Sequence, residues 1–578
     1  MRFTVPGIHL TRRLLRPPNT CTLEPRVPRQ FSRKPPRLLL VSHQSSPRPQ
    51  LPFLYPSAQY LSNGQTRILR LFSISVNHKK YIKEVSKLTV RYTVYIFLIT
   101  SCFSIASLGI LSERQERAFP SPHEWSLITR FRFRRGKWWE VPEHNEEEGF
   151  PNWARLYDEY QHALKRLENP NKDGNGILEQ EMVGGVAQGF DVTAKSGEWR
   201  QGYYEVLMGM AGAAERLEGW VTDKTRRNIW SPEFIASSSN PRPKATPPGM
   251  PVPPEEHLQV PAADTPETFY LRILTSKGFT THQRLKAALG YADWLSFKKL
   301  PDSAEEVYQW ALDIALAGVP TLDHSTVIDT KTNVLSFSAP KDKITPNLIF
   351  AATSLATFYA SQGNVTAALP ILISVLRARL AADPAPPAYV EPPPDSSLTG
   401  TLLSLLAEPP YPPLPPTGDE PLLRRIEDRC EEAALKIYIG EILFATAGSS
   451  SIQRTQGLSW VRDAVSTSKI AQSLDPITMF PERKKKCEQC EEVGLEAWGK
   501  MMTFLAAEAR DKRDKANAGG VMSWIGSLWG ARKGLDEKVE DLEGEEEGVV
   551  MRLNKLRGRM LREEYEDMDR KYAKTFVF

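Results

Sequence analysis

The chain has 578 residues, of which 41% are hydrophobic and 25% charged. This is ordinary globular usage and excludes a chain too polar to build a core. Its 74 Lys and Arg against 69 Asp and Glu give a formal charge of +5. Seventeen of those basic residues fall in positions 1–91, against only Glu24 and Glu84. The remainder is therefore net acidic, and nothing in it asks for a nucleic-acid partner.

Residues 1–72 are Arg-rich, Ser-rich and acid-poor, the pattern of a mitochondrial transit peptide. A basic disordered tail is the plainer alternative. A secretory signal fits less well, because the apolar core begins only near residue 90. Arg70-Leu71-Phe72-Ser73 has the look of a matrix-peptidase site, which leaves 73–91 as a short basic matrix tail. Residues 92–111, YTVYIFLITSCFSIASLGIL, carry no charge and no proline. About 20 apolar residues at helical rise cross a bilayer core, so this run is read as a single transmembrane helix. Lys79, Lys80, Lys83, Lys87 and Arg91 precede it, while Glu113, Glu116 and Glu124 offset Arg114 and Arg117 after it. Positive flanks resist translocation. The N-terminal side is expected in the matrix and the bulk of the chain in the intermembrane space.

Residues 112–150 form a basic, aromatic juxtamembrane segment, with WSLITRFRFRRGKWW over Trp125–Trp139. Such a segment suits an anionic membrane surface or an ordinary loop equally. Residues 151–230 read as helical. Within them, NKDGNGILEQEM (Asn171–Met182) copies part of a calcium loop through Asn171, Asp173, Asn175 and Gly176. The closing bidentate Glu is replaced by Met182, with Glu181 one place early, so an Asx/Gly turn is the expectation. Two proline-rich stretches, 231–266 and 383–421, cannot hold regular helix and read as solvated linkers. PPLPP in the second is either a plain spacer or a ligand for a proline-reading domain.

Residues 267–515 show helices in pairs. In the best unit Leu355, Ala356 and Tyr359 line one helix, Gly363 and Asn364 break it, and Ala368, Leu372 and Val375 line the next. Upstream, Tyr291, Ala292 and Leu295 face Ala304, Tyr308 and Ala311 across a turn at Leu300-Pro301-Asp302-Ser303. A third unit has Ile439, Gly440 and Leu443, a stretched turn GSSSIQRTQ, then Gly457, Val461 and Ala464. A fourth half-unit has Val493, Gly494 and Ala497. Residues 516–578 read as a charged helical tail.

These units resemble the tetratricopeptide repeat, with Pro370 inside a helix and Val375 in place of the usual Ala as departures. The small residues Ala292, Ala356, Gly440 and Gly494 are 64, 84 and 54 positions apart, against about 34 in a tight array. The expected fold is therefore all-α: one transmembrane helix, then a divergent, interrupted helical-repeat domain. The presequence, the span, SPHEWSLITRFRFRRGKWWE and the close CEQCEEVGLEAW together resemble a fungal mitochondrial inner-membrane family. That resemblance implies a tetratricopeptide-like adaptor that helps the inner-membrane AAA protease facing the intermembrane space to capture substrates.

The repeat reading places a client groove on the first helix of each pair, with Leu289, Asp293 and Phe297 in one unit and Phe350, Thr353 and Thr357 in the next. The charged C-terminal helix is the other surface to consider. The five cysteines, Cys21, Cys102, Cys430, Cys487 and Cys490, do not read as a disulfide framework. Cys487 and Cys490 are expected as two half-buried core residues, with a disulfide or thiol role as the alternative. There is no glycine-rich phosphate loop, no zinc-binding histidine pair and no Gly-x-Ser-x-Gly elbow. The expectation is a non-enzyme without cofactor or metal, partnered by a membrane and by proteins. A membrane-anchored scaffold, assembly factor or import-related receptor is the alternative function.

Overall fold

The structure, a computed structural model, describes residues 75–142, 151–180, 189–319, 324–386, 411–474, 481–518 and 531–575, apart from single positions 227, 239, 247, 248, 250 and 449. The expected presequence 1–72, Cys21, Glu181, Met182 and residues 387–410 of the second proline-rich stretch lie outside them. The chain divides into two units, Met1–Ser101 and Cys102–Phe578. Among the described residues the fold is nearly all-α, with thirteen α-helices and nine strands of two or three residues.

Helix α1, Val76–Ala118, contains the uncharged run 92–111 and extends well beyond it on both sides. Ile96, Phe97, Ile99, Phe103, Ile105 and Leu108 are all exposed. By length and composition α1 can cross a membrane once.

Among the described residues of the second unit twelve helices follow as six consecutive pairs: α2 Leu127–Glu140 with α3 Trp153–Leu167, α4 Gly197–Arg216 with α5 Pro266–Thr275, α6 Thr281–Phe297 with α7 Pro301–Ala317, α8 Pro346–Ser361 with α9 Val365–Ala381, α10 Asp428–Thr446 with α11 Ser451–Gln472, and α12 Pro481–Ala518 with α13 Ala531–Thr575. Each helix packs on its neighbours in the chain. First helices also touch first helices, α4 to α6 to α8 and α10 to α12. Contacts limited to neighbouring repeats are the mark of a solenoid.

Local chemistry starts these helices where they start. Thr280 and Gln283 form a reciprocal capping box on α6. Thr345 caps α8 ahead of Pro346, Asn364 caps α9, and Pro301 opens α7. Gly363 turns the chain between α8 and α9 at φ +79°. Pro370 sits on an exposed side of α9 without ending it.

Most packing positions of the paired-helix pattern are buried, whereas Val493 of the fourth half-unit is 52% exposed. Ala292, Ala304, Leu355, Ala356 and Ala368 have no exposed surface, and Tyr291, Tyr308 and Tyr359 have under a tenth. A tyrosine ladder then ties successive helices. Tyr203 of α4 donates to Glu168 just past α3 (3.0 Å), Tyr270 of α5 to Glu215 of α4 (2.6 Å), and Tyr291 of α6 to Glu267 of α5 (3.1 Å). Tyr308 of α7 donates to Asp293 of α6, and Tyr359 of α8 to Glu305 of α7 (2.9 Å). Burial and the adjoining carboxylate raise each phenol, Tyr291 to about 12, so all five remain donors at neutral pH.

Two apolar cores result. The first runs from Trp125 to Ile442 and is built around Tyr160, Trp199, Tyr203 and Leu285. The second joins Ile437, Val461, Leu495, Met502, Val549 and Leu556. Helix α10 serves both, with Leu435, Ile439 and Ile442 in the first and Ala433 and Ile437 in the second.

Several expectations need correction. The basic-aromatic segment is not a surface loop: Leu127–Glu140 is helix α2, and Trp125, Thr129, Phe133 and Arg134 are buried against α3 and α4. Only Leu127, Ile128 and Phe131 leave an apolar face exposed. The stretched turn GSSSIQRTQ is mostly helix, since Ser450 caps α11 through Gln453 N and α11 begins at Ser451. Gly440 and Gly457 set that crossing: a Cβ on either would come within 2.8 Å of the other's carbonyl oxygen. Gly494 likewise meets Val465 and Ile437. The fourth half-unit is completed by α13, whose Val539, Val549 and Leu556 are buried, so the charged tail packs on α12. The stretch 231–266 is not a plain linker. Its strand Gln259–Pro261 pairs with Val221–Asp223, which also pairs with Ile229–Trp230.

The cysteines were also misread. Cys430, in the first turn of α10, is bonded to Cys487 of α12 across a Cα separation of 5.2 Å. Cys490 packs beside this bridge, half-buried, and burial raises its thiol.

Candidate interaction face

Four groove candidates are scattered by their surroundings. Leu289 is 5% exposed and belongs to the first core, which removes it from any open face. Asp293 is exposed but already accepts the Tyr308 hydroxyl. Thr353 and Thr357 are half-buried, and their hydroxyls donate to the carbonyls of Ile349 and Ser354. Phe297 and Phe350 do reach solvent, at 81% and 39% exposure. They do not form one surface. Phe350 lies near His282 at the start of α6, with ring centroids 6.4 Å apart and the rings tilted, whereas Phe297 ends the same helix, roughly 22 Å away at helical rise.

A different set of residues converges at the N-terminal ends of the first helices. Asn347, in the first turn of α8, has no exposed surface. Its carboxamide nitrogen donates to Thr417 O (2.9 Å) and Asp419 Oδ1 (3.0 Å), and its backbone N donates to Gly418 O (3.3 Å). Since Nδ2 donates twice, Oδ1 accepts, and the neighbouring His282 Nδ1 at 2.9 Å carries the proton. Burial lowers the His282 imidazole below its ordinary value, which keeps it neutral near pH 7. Thr281 Oγ1 donates to Asp419 Oδ2 at 2.8 Å. Gly418, at φ +73°, lies so close to Asn347 that a Cβ would clash with its carboxamide. Sequence reading missed this set because its anchor, Asp419, lies in a stretch read as a spacer.

A second polar cluster fixes the end of α1. Glu116, 3% exposed, accepts from Ser121 N and Oγ, both at 2.8 Å, and pairs with Arg130 and Arg134. Arg134 also donates to Ser112 O at 3.1 Å. A buried carboxylate with two guanidinium partners is costly to break, because removing one side strands the other charge.

The calcium-like loop is a structural turn. Asp173 accepts from Ser126 N (2.8 Å), Ser126 Oγ (2.8 Å) and Thr129 Oγ1 (2.5 Å), so its oxygens are spent on α2. Gly176 takes φ +86°. Among the described residues no group of three His, Cys, Asp or Glu is placed to hold a metal.

No protein-family model matches the chain, and no curated protein does. A solved structure titled "Circular tandem repeat protein with novel repeat topology and enhanced subunit contact surfaces" aligns with 76% of this chain and 73% of its own at 11% identity. Its TM-score of 0.16 is too low to bear on fold or function. The class of protein is therefore defined by the chain's own architecture: a nearly all-α helical-repeat protein with, among the described residues, one helix apolar enough to cross a membrane.

Proposed function

We propose that this protein is a non-catalytic, membrane-anchored adaptor whose helical-repeat unit binds protein clients. The observation that carries the reading is the six-pair solenoid following directly on an apolar helix. Stacked helix pairs offer long surfaces suited to extended or helical peptides, and the anchor confines that surface to a membrane. The finer reading places the anchor in the mitochondrial inner membrane, with the repeats in the intermembrane space and clients delivered to an AAA protease. The Cys430–Cys487 bridge supports an oxidising compartment for the repeats, and the basic flank Lys79–Arg91 supports retention of the N-terminal side.

Affinity purification of the full chain from mild detergent tests the function. Co-purification with an AAA protease supports delivery, and its reproducible absence removes that step. Protease treatment tests the location: the repeats should resist digestion in intact mitochondria and be cut once the outer membrane is ruptured.

A further inference from the structure

The segment Tyr411–Asp419 crosses three consecutive helix pairs without joining any regular element. Tyr411 is half-buried, with Glu198 and Glu205 of α4 beside it. Leu414 rests on Gly197, the first residue of α4, where a Cβ would come within 2.4 Å of Leu414 Cδ1. Thr417, Gly418 and Asp419 are held by Thr281 of α6 and Asn347 of α8. The Asp419 carboxylate also lies against Gly318 after α7, where a Cβ would sit 2.2 Å from Oδ1. Tyr411, Leu414 and Thr417 recur every third residue, the period of a polyproline helix, while residues 412–417 as a whole stay exposed, Leu414 at 49%.

Three features distinguish this from a loop packed for stability. The strap is mostly solvent-exposed and is absent from both cores. It is read through backbone carbonyls by a buried asparagine, as peptides are. It seats against two glycines, Gly197 and Gly318, where an added Cβ would clash with Leu414 and Asp419.

We propose that the N-terminal ends of α4, α6 and α8 form a binding site for an extended peptide, that Tyr411–Asp419 is its occupant in cis, and that the partner in trans carries the same chemistry. That chemistry is an apolar side chain for the Gly197 notch and, five residues later, a carboxylate preceded by glycine, as in Leu414 and Gly418-Asp419. The strap is tethered at both ends, so its effective concentration is on the order of millimolar and it holds off weak partners. This inference rests on the protein-binding reading and supplies the site that reading lacks.

The test uses the full chain in detergent and a fluorescein-labelled peptide of residues 409–422, followed by anisotropy. The strap variant Leu414→Ala/Asp419→Ala should bind the peptide at least about tenfold more tightly than the wild type, while a scrambled peptide gains nothing. Adding Asn347→Ala to that variant should abolish the gain. If Asn347→Ala does not fold by circular dichroism, Gly197→Val blocks the notch at a helix start and should abolish it instead. Equal binding by the strap variant and the wild type overturns the proposal, as does a gain that survives Gly197→Val. Either failure leaves co-purification with a protease unaffected, so the loss of this site and the loss of the adaptor reading are separable.

Discussion

Between α3 and α8 a ladder of tyrosine hydroxyls set on carboxylates passes from helix to helix, with the Arg272–Glu168 pair beside it; between α10 and α13 the polar contacts across helices are mainly ion pairs of Arg and Lys with Glu and Asp. Tyr203, Tyr270 and Tyr308 are almost wholly buried. Arg462, Arg510 and Arg557, which reach Glu545, Glu543 and Glu492, keep 43%, 46% and 43% of their side chains exposed. A neutral phenol can be buried on one hydrogen bond without the desolvation penalty of a charge. An exposed ion pair avoids that penalty but is worth only about 0–1 kcal/mol and is screened by salt. The rear helices compensate with a covalent bond, Cys430–Cys487, which the front helices do not use. The two regions thus reach the same architecture by chemistries that respond to different stresses.

Reduction should separate them most sharply. The bridge closes a sequence separation of 57 residues, so Cys430→Ser/Cys487→Ser should destabilise the rear helices by roughly 4 kcal/mol on the chain-entropy account. Hydrogen exchange should rise in α10–α13 and stay nearly constant in α3–α8. A uniform rise would erase the distinction.

Overpacking probes the front. Ala368 is fully buried between α8 and α9, and Ala368→Leu should cost about 1–3 kcal/mol in a urea melt of the detergent-solubilised chain. An unchanged midpoint would mean that the helices do not meet there.

Next in size is the ladder. Tyr203→Phe leaves Glu168 with Arg272 as its partner at 2.6 Å, and the loss should be about 1–2 kcal/mol. Raising NaCl to about 1 M should leave that loss unchanged, while Arg557→Gln, tested in parallel, should lose most of its smaller effect through screening. Equal salt sensitivity at the two sites would contradict the contrast.

The smallest effect is one of pH. His282 faces Lys286 on its own helix and Asn347 and Asp419 across from it, and burial lowers its pKa in the fold. Its contribution is therefore present above the unfolded value near 6.5 and is lost as pH falls through the depressed folded value. Amide exchange at 417–419 should quicken, relative to intrinsic rates, between pH 7 and 5, and His282→Gln should remove the trend. Quickening in the alkaline direction would reverse the sign and defeat the assignment.

Helix pairs were legible wherever small residues mark a close approach, as at Ala292 with Ala304 and Ala356 with Ala368. The span was legible because twenty uncharged residues leave few alternatives. Helix α2 was obscured by composition: Arg134 looks like a surface residue until Glu116, eighteen positions away, supplies its partner. The tail was legible as helix, but the packing of α13 was obscured because its few buried apolar residues, Val539, Val549 and Leu556, are diluted by charge. The Cys430–Cys487 contact is tertiary and leaves no local trace, whereas the close spacing of Cys487 and Cys490 attracted attention to the wrong pair. The strap was read as a spacer because proline excludes helix but does not say what an extended chain will lie against.

Helix α10 presents one side to each core, and its Gly440 is seated against Gly457 with no room for a side chain on either. Mechanically it is a keyed axle. A slide along its length is stopped by the glycine contact, and a turn about its axis would pull Ile439 out of one core as it pulled Ile437 out of the other. Displacing α10 would therefore disturb both cores together. A single bulky substitution at this crossing would disengage both ends of the array at once.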